Sequence, residues 1–252
     1  MRVDSEHIRP LLKDWLKRLS DTIDPPVRER TEHGTCFRYD KKTSKQAIIL
    51  RLARISSGLN SLRLLHENGF LQEQATIQRT LDEFVEDVEF LSWGLLDRNE
   101  DTHERFVSEF FQELPTKGEM RNTKSKGRNF PSRDKIRAFL ARKSSAVFDQ
   151  SLAVNTGSAV HQVYSGFVHG YYPQVMDMLT DEGTEFAVEG VINQSLVADS
   201  RHDMDNYWFR GVQAFAFAAR ALGDETVYGE ACENRRFLEN LMNETWKRPG
   251  HH

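Results

Sequence analysis

Cysteine is scarce in this chain: Cys36 and Cys232 are the only two in 252 residues, far apart and in unlike contexts. So few thiols do not make a disulfide scaffold, and a reducing, cytoplasmic setting is the expectation. Long apolar runs are missing as well. No stretch approaches the roughly 18 apolar residues that a membrane span requires. The first seven residues are polar and lack the apolar core of a secretory signal. No membrane is expected among the partners.

The familiar catalytic and metal templates are also wanting. There is no His-Glu-x-x-His, no Cys-x-x-Cys and no EF-hand loop, and neither a nucleotide-binding glycine loop nor a Gly-x-Ser-x-Gly elbow. His161 and His169 stand eight residues apart, about 12 Å on a straight helix, so one ion cannot take both. The expectation is no metal, no cofactor, and neither nucleotide-dependent nor serine-hydrolase chemistry.

Charge and aromatic side chains are plentiful. Sixteen Phe, six Tyr and four Trp are too many for an unfolded chain, although 29% of residues are charged. The net charge of −4 is unevenly spread. Eleven acids against two arginines lie between Asp82 and Glu113; ten bases against two acids lie between Lys117 and Lys143. Adjacent blocks of opposite sign point either to mutual attraction or to a basic loop for a polyanion.

The hydrophobic spacing is helical. Ile8, Leu12, Trp15 and Leu19 mark a first helix over Asp4–Ser20. Pro25-Pro26 and Gly34 predict a long surface loop from Asp21 to Lys42. From Ser44, the row Ile48, Leu52, Ile55, Leu59, Leu62 and His66 runs to the stop signal Asn68-Gly69. Ile77, Leu81, Phe84, Val88, Leu91 and Leu95 then continue the pattern from Leu71 to Leu96. Two such helices with so short a connection predict an antiparallel αα-hairpin.

A fourth helix is expected over Thr102–Leu114, with Phe106, Phe110 and Phe111 inward, and a fifth from the Ser132 cap to Ser145. A sixth covers Leu152–Val168. Pro173 starts a short helix, the turn at Asp181 to Gly183 ends it, and Phe186–Ile192 is extended. Helices over Met204–Leu222 and Thr226–Trp246 close the chain, with Gly223 ending one and Asp224 capping the other. The whole reads as one all-α domain over 1–252: a multi-helix bundle built on a long αα-hairpin, with long loops and at most a minor extended segment. Its core hairpin and fourth helix span 44–114, its basic loop 115–131, and its remaining helices 132–246.

Several constellations carry polar chemistry. Arg79 and Glu83 form an i,i+4 pair on the third helix, opposite its Leu81/Val88 row, with Glu86, Phe90 and Trp93 on their side. They read either as a solvated ion pair or, if Phe90 and Trp93 call in a second packing partner, as the lining of a pocket between helices. The run Tyr164-Ser165-Gly166-Phe167-Val168-His169-Gly170 ends an apolar helix. His169 reads either as a helix-terminal residue favoured by the dipole or as a ligand-binding proton carrier, with Tyr164 and Ser165 supplying hydrogen bonds.

The Arg79-x-x-x-Glu83 pair followed by the Ser165-x-x-Val168-His169 element resembles a family of bacterial helical domains of unknown function. The likeness covers roughly 44–192. It implies a bundle in which Arg79, Glu83 and His169 converge, and it implies no activity.

Arg98-Asn99-Glu100-Asp101-Thr102-His103 is similar to the Arg-x4-6-His motif of helical HEPN ribonucleases. That resemblance implies a dimer cleft in which His103 does acid–base work on an RNA phosphodiester and Arg98 meets the developing charge. Chance alone supplies about two or three such spacings in a chain this rich in Arg. Three occur, the others starting at Arg2 and Arg28, and Asp97, Glu100, Asp101 and Glu104 are poor company for RNA. A third candidate is the basic loop: Arg121, Lys124, Lys126, Arg128, Arg133 and Arg137 have the charge to track a phosphate backbone, with Phe130 for stacking.

Three function classes follow: an interaction or ligand-binding module of the bacterial cytoplasm; a HEPN-like ribonuclease of a toxin or phage-defence system; and a non-catalytic nucleic-acid binder. Helices with two apolar faces also predict a homodimer or a protein partner.

Overall fold

In a computed structural model, described for residues 5–31, 34–97, 100–112, 129–144, 159, 162–180, 182–190 and 193–246, the chain is an all-α bundle with one small hairpin of strands. The elements in order are α1 (Ser5–Ser20), β1 (Val27–Thr31), β2 (Gly34–Arg38), α2 (Ser44–Glu67), α3 (Leu71–Leu96), α4 (Asp101–Phe110), α5 (Arg133–Ser144), α6 (162–169), α7 (Tyr172–Met176), α8 (Gln194–Leu222) and α9 (Glu225–Trp246).

The α2–α3 hairpin forms as its spacing requires. Every member of the α2 row from Ile48 to His66 is buried, and on α3 Leu81, Val88 and Leu91 are buried with Ile77, Phe84 and Leu95 packed beside them. Thr43 caps α2 through its hydroxyl, and Gly69, at φ 73°, turns the chain after Asn68. The opposite side of α3 is covered too: Phe90 is fully buried and meets Phe139 of α5 edge-on at 5.2 Å. With α2 on one side and α5 and α8 around the rest, α3 is the central helix.

The antiparallel pair α8–α9 closes the bundle over α1, where Trp15 packs 5.9 Å from Phe215 and donates to Glu230 at 2.7 Å. Gly223 ends α8 in the left-handed conformation at φ 83°, and Asp224 caps α9 by accepting from the Val227 amide at 2.9 Å.

Four boundaries differ from the sequence reading, the first being that α4 stops at Phe110 instead of continuing toward Leu114. The segment expected to be one long loop from Asp21 to Lys42 holds the β1–β2 ribbon, Val27 pairing with Arg38 and Thr31 with Gly34. Its strands carry charge on both faces and β2 is exposed almost throughout, so no apolar alternation announces it. α8 begins ten residues before Met204 because Asn193 caps it, accepting from the amides of Ser195 and Leu196, although the following turns are mostly polar. Phe186 makes only a single bridge to Leu179 and the chain turns again at Val188, so the expected extended stretch is not a strand; Ile192 lies outside the described residues. The early part of the predicted sixth helix, 152–158, also lies outside them.

Candidate functional site

A cavity of about 570 Å³ opens between the first half of α3, the helix α6 and the first half of α8. Its size is that of a small-molecule pocket. Leu71 and Ala75 of α3, Val163 and Phe167 of α6, and Leu196 of α8 form its apolar wall. α3 and α8 run in the same direction here, as the pairings Gln74–Ser200 and Asp82–Arg210 show. The polar side chains therefore stack in tiers along the two helices.

At the upper tier Ser200 donates to Gln74 Oε1 at 2.8 Å, and the Gln74 amide donates to the Ser200 carbonyl at 3.1 Å. His66, the last member of the α2 row, approaches both through Nδ1, and burial depresses its pKa. Ser200 is not an activated nucleophile, because its proton goes to Gln74 rather than to the imidazole.

At the middle tier the Tyr164 hydroxyl donates to Asp203 Oδ2 at 3.2 Å. Burial holds the Asp203 carboxyl above the usual carboxylate range, against the lowering effect of that hydrogen bond. Gln78 sits here with only 1% of its surface exposed, and its Nε2 has no hydrogen-bond partner among the described residues. A buried amide donor left unmatched costs about 1–3 kcal/mol.

At the lower tier Asp82 accepts from the Tyr207 hydroxyl at 2.9 Å and from Arg210, whose guanidinium also lies 5.2 Å from the Tyr207 ring centre. Burial raises the phenol pKa of Tyr207 first, and the Asp82 charge raises it further. Arg210 is thus matched to Asp82.

The candidate residues named from the sequence are scattered rather than gathered. Tyr164 lines the cavity; Arg79, Glu83, Ser165 and His169 do not. Arg79 and Glu83 do pair, at 2.7 Å, but on the side of α3 that faces α5, where Arg133 joins them. The pocket expected to unite Arg79, Glu83 and His169 is therefore not formed. His169 is exposed at the end of α6, its ring stacked on Tyr171, and Gly170 at φ 61° stops the helix behind it.

His103 takes a structural place. It is fully buried, stacked 4.1 Å from Phe90 and edge-on to Phe139, and its Nδ1 accepts from the Glu100 amide at 3.0 Å as part of a capping box. Burial lowers its pKa. A ring enclosed in this way has no open edge to offer a phosphodiester. Arg98 lies outside the described residues.

The basic candidates divide. Arg121, Lys124, Lys126 and Arg128 lie outside the described residues. Arg133 and Arg137 are described, and both are spent inside the protein: Arg133 donates to Asp87 at 2.7 Å, and Arg137 to Glu86 at 2.7 Å. They clamp α5 to the acidic side of α3 and are not free for a polyanion. Asp87, wholly buried, also meets Arg51 of α2 at 2.8 Å, so one carboxylate ties three helices.

Sequence reasoning missed Gln78, Asp82, Ser200, Asp203, Tyr207 and Arg210. The last four recur at spacings of three, four and three, a readable helical face, but the start of α8 was placed too late to show it. Among the described residues no cluster of His, Cys, Asp and Glu is arranged to hold a metal, and no helix is long and apolar enough to cross a membrane. No protein-family model, curated protein or solved structure matches the chain.

Proposed function

We propose that the protein is a ligand-binding module whose site is the cavity between α3, α6 and α8. The observation that carries this reading is Gln78: a buried amide on the cavity lining, its nitrogen unmatched, beside an apolar wall and a small set of oriented polar groups. An occupant with a hydrogen-bond acceptor satisfies that donor and covers Leu71, Ala75 and Val163 in the same step. Binding rather than turnover is favoured because, among the described residues, none of the polar groups along the cavity is set up as a nucleophile held by a base.

The test is a thermal-denaturation screen of the purified chain against a library of amphiphilic small molecules, run in parallel on Val163→Trp, which fills the cavity from its open side. The reading expects a subset to raise Tm in the parent and to lose that effect in the variant. Equal shifts in both proteins overturn it.

A further inference from the structure

The composition of the wall says which chemical class the cavity takes. Three aromatic rings line it: Tyr164 and Phe167 from α6, and Tyr207 from α8. Tyr164 lies 6.2 Å from each of the other two, centre to centre, and stands edge-on to Tyr207. A ring presents a negative face to a cation. The protein already uses this at one edge of the site, where the Arg210 guanidinium lies over Tyr207.

The charged groups point the same way. The lining holds two carboxylates, Asp177 and Asp203, and one cation, Arg210. Arg210 is neutralised by Asp82 behind the wall, which leaves the lining acidic. An anionic guest would meet Asp177 and Asp203 with no uncommitted cation among the described lining residues to receive it. A neutral guest would bring no opposite charge to Asp203, which accepts from the Tyr164 hydroxyl, or to the exposed Asp177. The acids do not stand alone: the unmatched amide of Gln78 is on the same lining and calls for an acceptor on the guest.

Resting on the reading of the cavity as a ligand site, we propose that its ligand is an organic ammonium ion carrying an apolar body and, on that body, a hydrogen-bond acceptor for the Gln78 amide. The cationic head sits against Asp203 and the faces of Tyr164 and Phe167, and the body lies along Leu71, Ala75 and Val163. No covalent step is involved.

Three matched probes separate the possibilities: 4-(4-methoxyphenyl)butylammonium, 4-(4-methoxyphenyl)butan-1-ol and 4-(4-methoxyphenyl)butanoate, which share the methoxy oxygen as acceptor, titrated into the full chain and followed by NMR and calorimetry. The ammonium is expected to bind at least about tenfold more tightly than the alcohol, and the carboxylate most weakly, as one charge–charge contact of about 1.4 kcal/mol predicts. Asp203→Asn is expected to weaken the ammonium about tenfold and to leave the alcohol unchanged; should that variant fold poorly, Asp177→Asn removes the other carboxylate charge of the lining and is expected to weaken the ammonium by a smaller factor, again with the alcohol unchanged. If the alcohol or the carboxylate binds as tightly as the ammonium, the cation assignment is overturned while the cavity remains a ligand site. If no probe perturbs the cavity residues, the site reading falls, and the assignment with it.

Discussion

The Tyr164 hydroxyl donates to the carboxylate of Asp203 across 3.2 Å, joining α6 to α8 at the edge of the cavity. The bond favours the charged form of Asp203, so removing it has a definite sign. Tyr164→Phe is expected to move the Asp203 pKa further upward and to cost about 1 kcal/mol of stability. Carbon-detected NMR titration of the Asp203 carboxyl, beside urea denaturation, measures both. A pKa that falls or stays put removes this bond from the account.

Asp87 ties α2, α3 and α5 through Arg51 and Arg133 while fully buried. Its burial raises its pKa, and the two arginines oppose that rise. Cutting out the carboxylate leaves two guanidinium groups facing a closed space. Asp87→Ala is expected to destabilise the fold by about 3–5 kcal/mol. Replacing all three members with apolar residues of similar volume should recover most of the loss. Should the single substitution prove nearly neutral, the three-helix clamp is not a structural tie.

Gly190 adopts φ 123°, and an added Cβ there would stand 2.2 Å from the Asn68 carbonyl oxygen, which is fixed at the end of α2. Backbone cannot yield as a side chain would. Gly190→Ala is therefore expected to lower stability by about 1–3 kcal/mol. An unchanged denaturation midpoint would mean that the 182–190 segment does not pack on the α2–α3 turn as described.

Glu89 of α3 is pushed up to about 7 by burial, with Arg210 of α8 pulling the other way and neighbouring Glu86 adding to the rise. The folded state thus binds a proton that the unfolded chain releases near pH 4.5. Stability contributed by this group is complete below that point and declines as pH rises to about 7, after which it levels off. The decline is on the order of 3 kcal/mol at most. Glu89→Gln should flatten it in urea titrations between pH 4.5 and 7. A variant whose pH profile still matches the parent's would acquit Glu89.

Periodic burial is legible in the sequence. The rows of α1 and α2, the Asn68-Gly69 turn and the Gly223/Asp224 junction follow from side-chain spacing and from the capping chemistry of Asn, Asp and Gly. Phe90 and Trp93 left a second packing partner for α3 as one of two readings, and Phe90 is buried against α5.

The site was harder to see because its parts meet across 39 to 128 positions of sequence. Gln78 has no local feature that distinguishes it from a solvated glutamine; only the arrival of α6 and α8 leaves its amide unmatched. Short motifs do not fix the surroundings of their residues either. Arg79 with Glu83, and the lone His103, carried familiar spacings, yet packing turned the first towards α5 and closed the second under Phe90. Which face of a helix is covered depends on partners that the spacing within that helix does not encode.

The central claim, that the α3–α6–α8 cavity receives a small molecule, is tested most directly at the side-chain amide of Gln78. Its proton–nitrogen resonances, assigned by comparison with Gln78→Leu, can be followed while an amphiphilic ligand is titrated in. The account predicts saturable shifts at Gln78 that track those of Tyr164 and Asp203 and disappear in Val163→Trp. Shifts confined to surface positions such as Phe37 or Tyr172, with Gln78 unmoved at saturation, would contradict it.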